Sequence, residues 1–452
     1  MPLIRSVSGL RATTTDGALS EEVVARHVRA FELLQGEGAV AVGHDGRQGS
    51  AAIAEQVCSV LCAAGRTVIE LGCVPTPTVA LVVERNRLAG GVVVTASHNG
   101  AEWNGLKFLD ADGTFLAPSR IAELWALADR NVFSAYAQKG SVVRHTDPIG
   151  EHLAALEAVP LIAELRRSGK CSSMRIVIDA VNASGSHALP FLVEWLGATP
   201  IRLFCDGSGI FPHPPEPLPE HLEALTSATA TAGATLGVAV DPDADRLVLV
   251  HERGQPISEE KTIVLAVEAL LRKQPGGTVV VNASTTAEVE HVAARYQGRV
   301  LRSAVGEANV VALMRACNAA IGGEGSGGVI LPACHYGRDS LVGTALILAL
   351  RGALSSHEWD ARTLQSPFAM EKRKRSWQGD FATLRAALLR ELSNGAQIWE
   401  GDGLRLQWQD QWLHVRPSNT EPIVRLIAES PTAEQTAALL DRAEQILATF
   451  AA

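Results

Sequence analysis

Three stretches of the chain repeat one pattern: an apolar run of strand length, a loop of small and polar residues, then helical spacing. They are AVAVGHDGRQGS (39–50), RIVIDAVNASGS (175–186) and TVVVNASTT (278–286). A second short apolar run follows each, in TVIELGCVPTPT, TPIRLFCDGSGI and GRVLRSAVGEAN. Strand–helix–strand units in series predict α/β layers with largely parallel strands. Together they predict a diffuse threefold repeat of about a hundred residues. From Phe381 onward short helix-like and strand-like segments alternate, which predicts a separate small α+β unit.

Polar and proline-rich stretches interrupt this pattern. RHTDPIGEH (144–152) reads as a turn-rich break. FPHPPEPLPE (211–220) holds five prolines in ten residues, which excludes regular helix and central strand. Residues 354–380 include the charge run EKRKR, read as a solvated linker or edge.

Composition narrows the class. At 452 residues the chain exceeds one ordinary core, so several domains are expected. A net charge of -9 argues against a general binder of nucleic acid or membrane surfaces, while leaving room for local basic pockets. The opening MPLIRSVSGL has no apolar signal core, and no apolar run reaches the roughly 18 residues of a membrane span. The seven cysteines are scattered, without CxxC or zinc spacing, so reduced thiols and the cytosol are the expectation. The NAS sequons at Asn182 and Asn282 then read as chance matches.

Four segments could carry chemistry. In GVVVTASHNGAEWNG (91–105) an apolar strand ends at Ser97, read as exposed and flanked by small and polar residues. Ligands gather at such strand ends, although an ST-turn would look the same. In DPDADR, Asp241, Asp243 and Asp245 crowd one short loop. Packing gives no reason to collect three carboxylates, whereas a hard divalent cation does; magnesium fits better than calcium, because no EF-hand spacing follows. GGEGSGG (322–328) presents Glu324 and Ser326 among glycines, as a polyol site or a flexible turn. RPSNTEPIVR (416–425) joins an arginine to turn-forming donors, as phosphate sites do and as capped turns do.

These motifs, in this order, resemble the α-D-phosphohexomutase superfamily from SGLR to RPSNTEP, almost the whole chain. The resemblance implies an α/β fold: three related mixed α/β domains plus a small C-terminal α+β domain around a central cleft. The expected domains span residues 1–150 with the phosphoserine loop, 151–252 with the magnesium loop, 253–365 with the sugar-binding loop and 366–452 with the phosphate-binding loop. Ser97 matches the phosphoserine, and Asp241, Asp243 and Asp245 match the Mg2+ ligands, with the serine phosphate as a further ligand. Glu324 and Ser326 match the sugar readers. Arg416, Ser418, Asn419, Thr420 and Arg425 match the site of the non-reacting phosphate. Arg11 in SGLR and Lys107 in NGLK match cations beside the serine, with Lys107 as the proton-transfer candidate; His98 could assist, and Arg246 matches an arginine beside the metal loop. The implied activity interconverts hexose 6-phosphate and hexose 1-phosphate through a hexose 1,6-bisphosphate, which is both intermediate and activator. Implied partners are small sugar phosphates, with no nucleic acid and no membrane; a homodimer is an open assembly state.

Departures from the family pattern refine the substrate. Gly100 replaces the proline of TASHNP, and Ala12 a glycine. Gly328 and Glu307 replace two histidines of bifunctional phosphomannomutase/phosphoglucomutases. EWNGLKFL, GGEGSGGVI and HYGRDSLVG look more like the phosphoglucosamine mutase branch, although Asn419 replaces the glycine of RPSGTEP. Glu307 is expected to favour an aminosugar by facing its ammonium. Phosphomannomutase or phosphoglucomutase activity is the alternative, with a phosphatase or a non-catalytic sensor as remoter ones.

Overall fold

The structure is a computed structural model that describes residues 3–131, 139–418 and 422–450. Three mixed sheets and one antiparallel sheet follow one another along the chain. In the first, strand Val40–His44 lies between parallel strands Val68–Cys73 and Gly90–Val94. The second repeats this with Arg175–Asp179 between Thr199–Arg202 and Leu236–Val240. The third repeats it with Thr278–Asn282 between Arg299–Ser303 and Ile321–Glu324. The threefold repeat is therefore real, with one correction: each sheet also carries antiparallel strands, because the third parallel strand folds straight back. Gly90–Val94 pairs with Trp103–Leu109, Leu236–Val240 with Leu247–His251, and Ile321–Glu324 with Gly328–Ile330, all antiparallel.

Those three reversals carry the Ser97 loop, the aspartate loop and the Glu324–Ser326 loop. The three motifs occupy the same topological position in three copies of one unit. One hydrophobic core runs through all three copies. Helix Glu260–Leu271 is buried along its entire length, and Ser340–Arg351 along all but its last residue. Apolar residues fill most of both helices, and the charges buried in the first, Glu260, Lys261 and Glu268, are ion-paired; each fully buried Leu, Ile or Val stabilises the fold by about 1.5–3 kcal/mol.

Two of the breaks read from the sequence are structured. RHTDPIGEH begins with the end of edge strand Val142–Arg144 and runs into helix Pro148–Glu157. Its turn-like residues are start signals: Asp147 caps the helix by accepting from the Gly150 amide, and Pro148 opens the first turn. Residues 354–380 are not a linker. They form helix Ser356–Thr363, with a capping box from Ser355 and Glu358, and strand Ala369–Ser376. EKRKR lies in that strand, which is indeed an edge: it pairs with Ile423–Ser430 at one side of the fourth, antiparallel sheet. Among the described residues no helix is long and apolar enough to cross a membrane.

Candidate active site

Ser97 follows strand Gly90–Val94 and is buried, not exposed as the sequence suggested, because it faces the aspartate loop of the second domain; it sits at φ +51°, a left-handed conformation uncommon for a residue with a Cβ. Backbone strain of this kind persists only where surroundings enforce it. Here the enforcement comes from HDGRQGS, which sequence reasoning used only as a strand end. The Arg47 side chain is wholly enclosed. It donates to the carbonyls of Ser97, Asn99 (3.2 Å), Gly100 (3.3 Å) and Trp103 (2.8 Å), and to Asp45 Oδ2 (2.8 Å). Asp45 also accepts from Thr95 Oγ1 at 2.6 Å, and Thr95 Oγ1 in turn accepts from the Ser97 amide at 2.8 Å.

This frame aims the serine hydroxyl at the aspartate loop of the second domain: Ser97 Oγ donates to Asp241 Oδ2 at 3.0 Å. All three aspartates are buried, and one ligand atom of each lies within 4.8 Å of the others. Asp243 Oδ1 and Asp245 Oδ1 are buried with no hydrogen-bond partner. Buried carboxylate oxygens are not normally left unsatisfied, so hard oxygen donors with free lone pairs fit a divalent cation such as Mg2+. All three mixed domains fasten the loop: Thr76 Oγ1 donates to Asp243 Oδ2 (2.6 Å), Ser184 Oγ to the Pro242 carbonyl (2.7 Å) and Ser340 Oγ to the Ala244 carbonyl (2.7 Å).

The cations predicted around this centre are present. Lys107 Nζ donates to Asp243 Oδ2 at 2.6 Å and to Asp245 Oδ2 at 3.1 Å. Burial would lower the pKa of this ammonium, but the two carboxylates outweigh burial and raise it, so it stays protonated. Arg11 donates to Asn99 Oδ1 at 2.9 Å, beside the serine. His98 accepts at Nδ1 from Arg246 (3.0 Å), with Ser97 Oγ 3.4 Å away. The Arg246 charge, then burial, holds this imidazole well below its usual pKa and hence neutral. Asp241 is pushed well above the carboxylate range by burial and by Asp245 and Asp243. Asp245 is opposed by burial but held low by Arg338, Lys107 and Arg246.

Arg338 of HYGRDSLVG is the residue that the site reading missed. Its guanidinium meets three carboxylates: Asp245 Oδ2 at 2.7 Å, Glu307 Oε2 at 2.9 Å and Glu324 Oε2 at 3.1 Å. It joins the aspartate loop to the sugar-binding end. Gly328 makes room for it, since a Cβ there would lie 2.3 Å from Arg338 Cδ. A histidine at 328 and Arg338 in this pose exclude each other. Glu307, expected to face a substrate ammonium, pairs with Arg338 in this conformation. Burial pushes its pKa up to about 7. Glu324 is likewise anchored, accepting at Oε1 from Asn282 (2.8 Å) and the Gly306 amide (3.0 Å). Ser326 stands half-buried at the loop tip.

The last group of predicted residues lies in the fourth domain. Arg416 and Arg425 are direct cross-strand neighbours, and Lys374 of the EKRKR run is the next in the same row. Like charges opposite one another destabilise a sheet, so three in a row suit an anion. Arg416 Nε lies 3.1 Å from Asp402 Oδ2, an ion pair without directed hydrogen-bond geometry. Asp402 accepts from the Val305 amide at 3.0 Å, which ties this sheet to the loop before Glu307. Ser418 is held by its amide to the Ile423 carbonyl at 2.9 Å. Asn419 and Thr420 lie outside the described residues.

Comparison with known proteins places this architecture. Profiles of phosphoglucomutase/phosphomannomutase α/β/α domains I, II and III match residues 3–135, 151–254 and 258–358, and that of the C-terminal domain matches 369–446. A Methanopyrus kandleri protein named "probable phosphoglucosamine mutase" is 30% identical over 447 residues, covering 96% of this chain and 95% of its own. A Thermococcus kodakarensis phosphoglucomutase/phosphomannomutase is 32% identical over 424 residues, covering 92% of each chain. A crystal structure of a phosphoglucomutase/phosphomannomutase family protein from Burkholderia thailandensis has the same fold, with TM-score 0.84 at 24% identity over 98% of this chain and 96% of that one. These matches define the class as an intramolecular phosphotransferase, an isomerase. The chain belongs to the phosphoglucomutase/phosphomannomutase family and is a phosphohexomutase.

Proposed function

We propose that the enzyme interconverts glucosamine 6-phosphate and glucosamine 1-phosphate through phospho-Ser97 and a hexose 1,6-bisphosphate. The observation that carries the phosphoserine reading is the buried Ser97 Oγ, 3.0 Å from Asp241, with Lys107 bonded to the aspartate loop and Arg11 and Arg246 bonded to the neighbouring Asn99 and His98. Phospho-Ser97 donates its phosphoryl group to one sugar hydroxyl. The bisphosphate turns over in the cleft, and its other phosphate returns to Ser97. Throughout, the row of Arg416, Arg425 and Lys374, with Ser418, Asn419 and Thr420, holds the phosphate that is not reacting. Mg2+ bound by Asp241, Asp243 and Asp245 would supply neutralisation of phosphoryl charge. Lys107, kept protonated by its carboxylate partners, donates toward the phosphoryl oxygens, gives a proton to the departing Ser97 oxygen and takes up the one that the attacking sugar hydroxyl loses.

Removal of the cation with a chelator is expected to abolish turnover, and added Mg2+ to restore it. Asp243→Asn is expected to lower kcat roughly 10³-fold, the scale of losing several kcal/mol of charge stabilisation. Steady-state assays across a Mg2+ titration check both.

The aminosugar reading rests on charge. Beyond Asp245, which Lys107 also neutralises, Glu307 and Glu324 share the one guanidinium of Arg338, an excess that a substrate ammonium would offset. The test compares kcat/KM on glucosamine, mannose and glucose 6-phosphates, with Mg2+ and a trace of the 1,6-bisphosphate. Glucosamine 6-phosphate is expected to lead, and Glu307→Gln to shrink that lead about tenfold, the scale of one charge-assisted contact. In wild type the lead should also shrink below about pH 7, where Glu307 takes up a proton. A lead for glucose or mannose, as the Thermococcus kodakarensis relative's name suggests, would overturn the aminosugar reading alone.

A further inference from the structure

A second cluster of metal-ligand side chains lies behind the site. His152, Cys334, His335 and Asp339 each offer a ligand atom within 4.8 Å of the other three. His152 Nε2 lies 2.8 Å and His335 Nε2 3.0 Å from Asp339 Oδ2. Both imidazoles and the carboxylate are buried. We propose that this cluster is a structural zinc site that clamps the third domain to the helix Pro148–Glu157.

The donor set carries the assignment. Two imidazoles, one thiolate and one carboxylate are the ligands of a closed tetrahedral zinc site, and they are too soft for magnesium. The outer contacts are those of oriented ligands. Thr78 Oγ1 holds His152 Nδ1 at 3.0 Å, which leaves Nε2 to point inward. The amides of Leu341 (2.7 Å) and Val342 (3.3 Å) occupy Asp339 Oδ1, which leaves Oδ2 for the cluster. His335 Nδ1 has no partner, so that ring is fixed only through the cluster. The buried Asp339 carboxylate needs a positive counter-charge, and the side chains bonded to it are the two imidazoles. The separations of 2.8 and 3.0 Å need open by only a few tenths of an ångström to reach about 3.3 Å, the edge of a tetrahedron with bonds of about 2.0 Å.

The clamp has a mechanical consequence. Asp339 follows Arg338, the residue that joins Asp245, Glu307 and Glu324, and Thr78 lies two residues after Thr76, which bonds Asp243. A metal at the cluster would hold the backbones of both. The sequence hides the site because His152 is 187 residues from Asp339.

Elemental analysis of the full chain, purified without chelator, is expected to find one zinc per protein. Chelator-stripped wild type titrated with Co2+ is expected to show tetrahedral d–d bands with a thiolate-to-metal charge-transfer band. Cys334→Ser should lose the charge-transfer band and His152→Phe should lose both. Substoichiometric zinc together with no tetrahedral cobalt spectrum in wild type would overturn the proposal and leave a purely hydrogen-bonded His–Asp–His clamp. So would cobalt spectra of the weak octahedral kind, which would report the aspartate loop instead. The wild-type titration decides the matter even if a variant fails to fold.

Discussion

Ser97→Ala is expected to reduce mutase turnover by at least about 10⁴-fold, the scale of removing the nucleophile from a covalent pathway. The hydroxyl is the only group lost. In the folded state it bonds Asp241 Oδ2 at 3.0 Å and makes a longer contact of 3.4 Å with His98 Nδ1, so the stability change should stay within about 1–3 kcal/mol. Substrate binding should persist, because the row of Arg416, Arg425 and Lys374 proposed to hold the phosphate lies in a different sheet. The expected signature is a collapse in kcat at nearly unchanged thermal stability and sugar-phosphate affinity. Intact-mass analysis should find one added phosphoryl group on part of the wild type and none on the variant. A variant that still isomerises, or wild type that never carries the phosphoryl group even after incubation with hexose 1,6-bisphosphate, would remove the phosphoserine from the mechanism.

Arg47→Met is expected to be the most damaging change at a residue that need not touch substrate. Methionine nearly fills the volume but supplies no donors. The carbonyls of Ser97, Asn99, Gly100 and Trp103 each lose a donor, although Gly100 keeps the Trp103 amide, and the buried Asp45 carboxylate loses its counter-charge. Breaking a buried pair from one side costs about 3–5 kcal/mol. The left-handed backbone at Ser97 is held by these bonds, so the loop should relax and the hydroxyl should leave Asp241. Arg47→Lys should rescue little, because one ammonium cannot reproduce a planar fork reaching several acceptors. Thermal melting should show the stability loss. Hydrogen exchange should show it concentrated in residues 95–103, and bisphosphate-driven phosphorylation of Ser97 should fall with it. Unchanged exchange in that loop would show that Arg47 is a core residue only.

How much of this was legible beforehand differs by scale. The four motif loops could be read because each keeps its chemistry within a few consecutive residues: DPDADR shows its three carboxylates in any context. Arg338 could not be singled out, because its partners lie 93, 31 and 14 residues away. Alone it is one arginine in a polar turn. Arg47 was passed over for the same reason, since its acceptors are carbonyls 50 or more residues away. Lys374 looked like part of a solvated run until strand register set it beside Arg425. Glu307 was expected to face a substrate ammonium, and only the packed structure shows Arg338 against it.

By itself, then, the sequence determined the α/β layering, the threefold repeat, the small α+β unit at the end and the residues of each motif. Hydrophobic periodicity and short-range turn chemistry are local properties, and a local pattern survives being read one segment at a time. Tertiary structure alone decided that the three motif loops occupy equivalent strand reversals, that they converge, and that buried arginines bind them together. Charge pairing falls off with distance in space, not along the chain, so partners far apart in sequence become neighbours only once sheets and domains have packed.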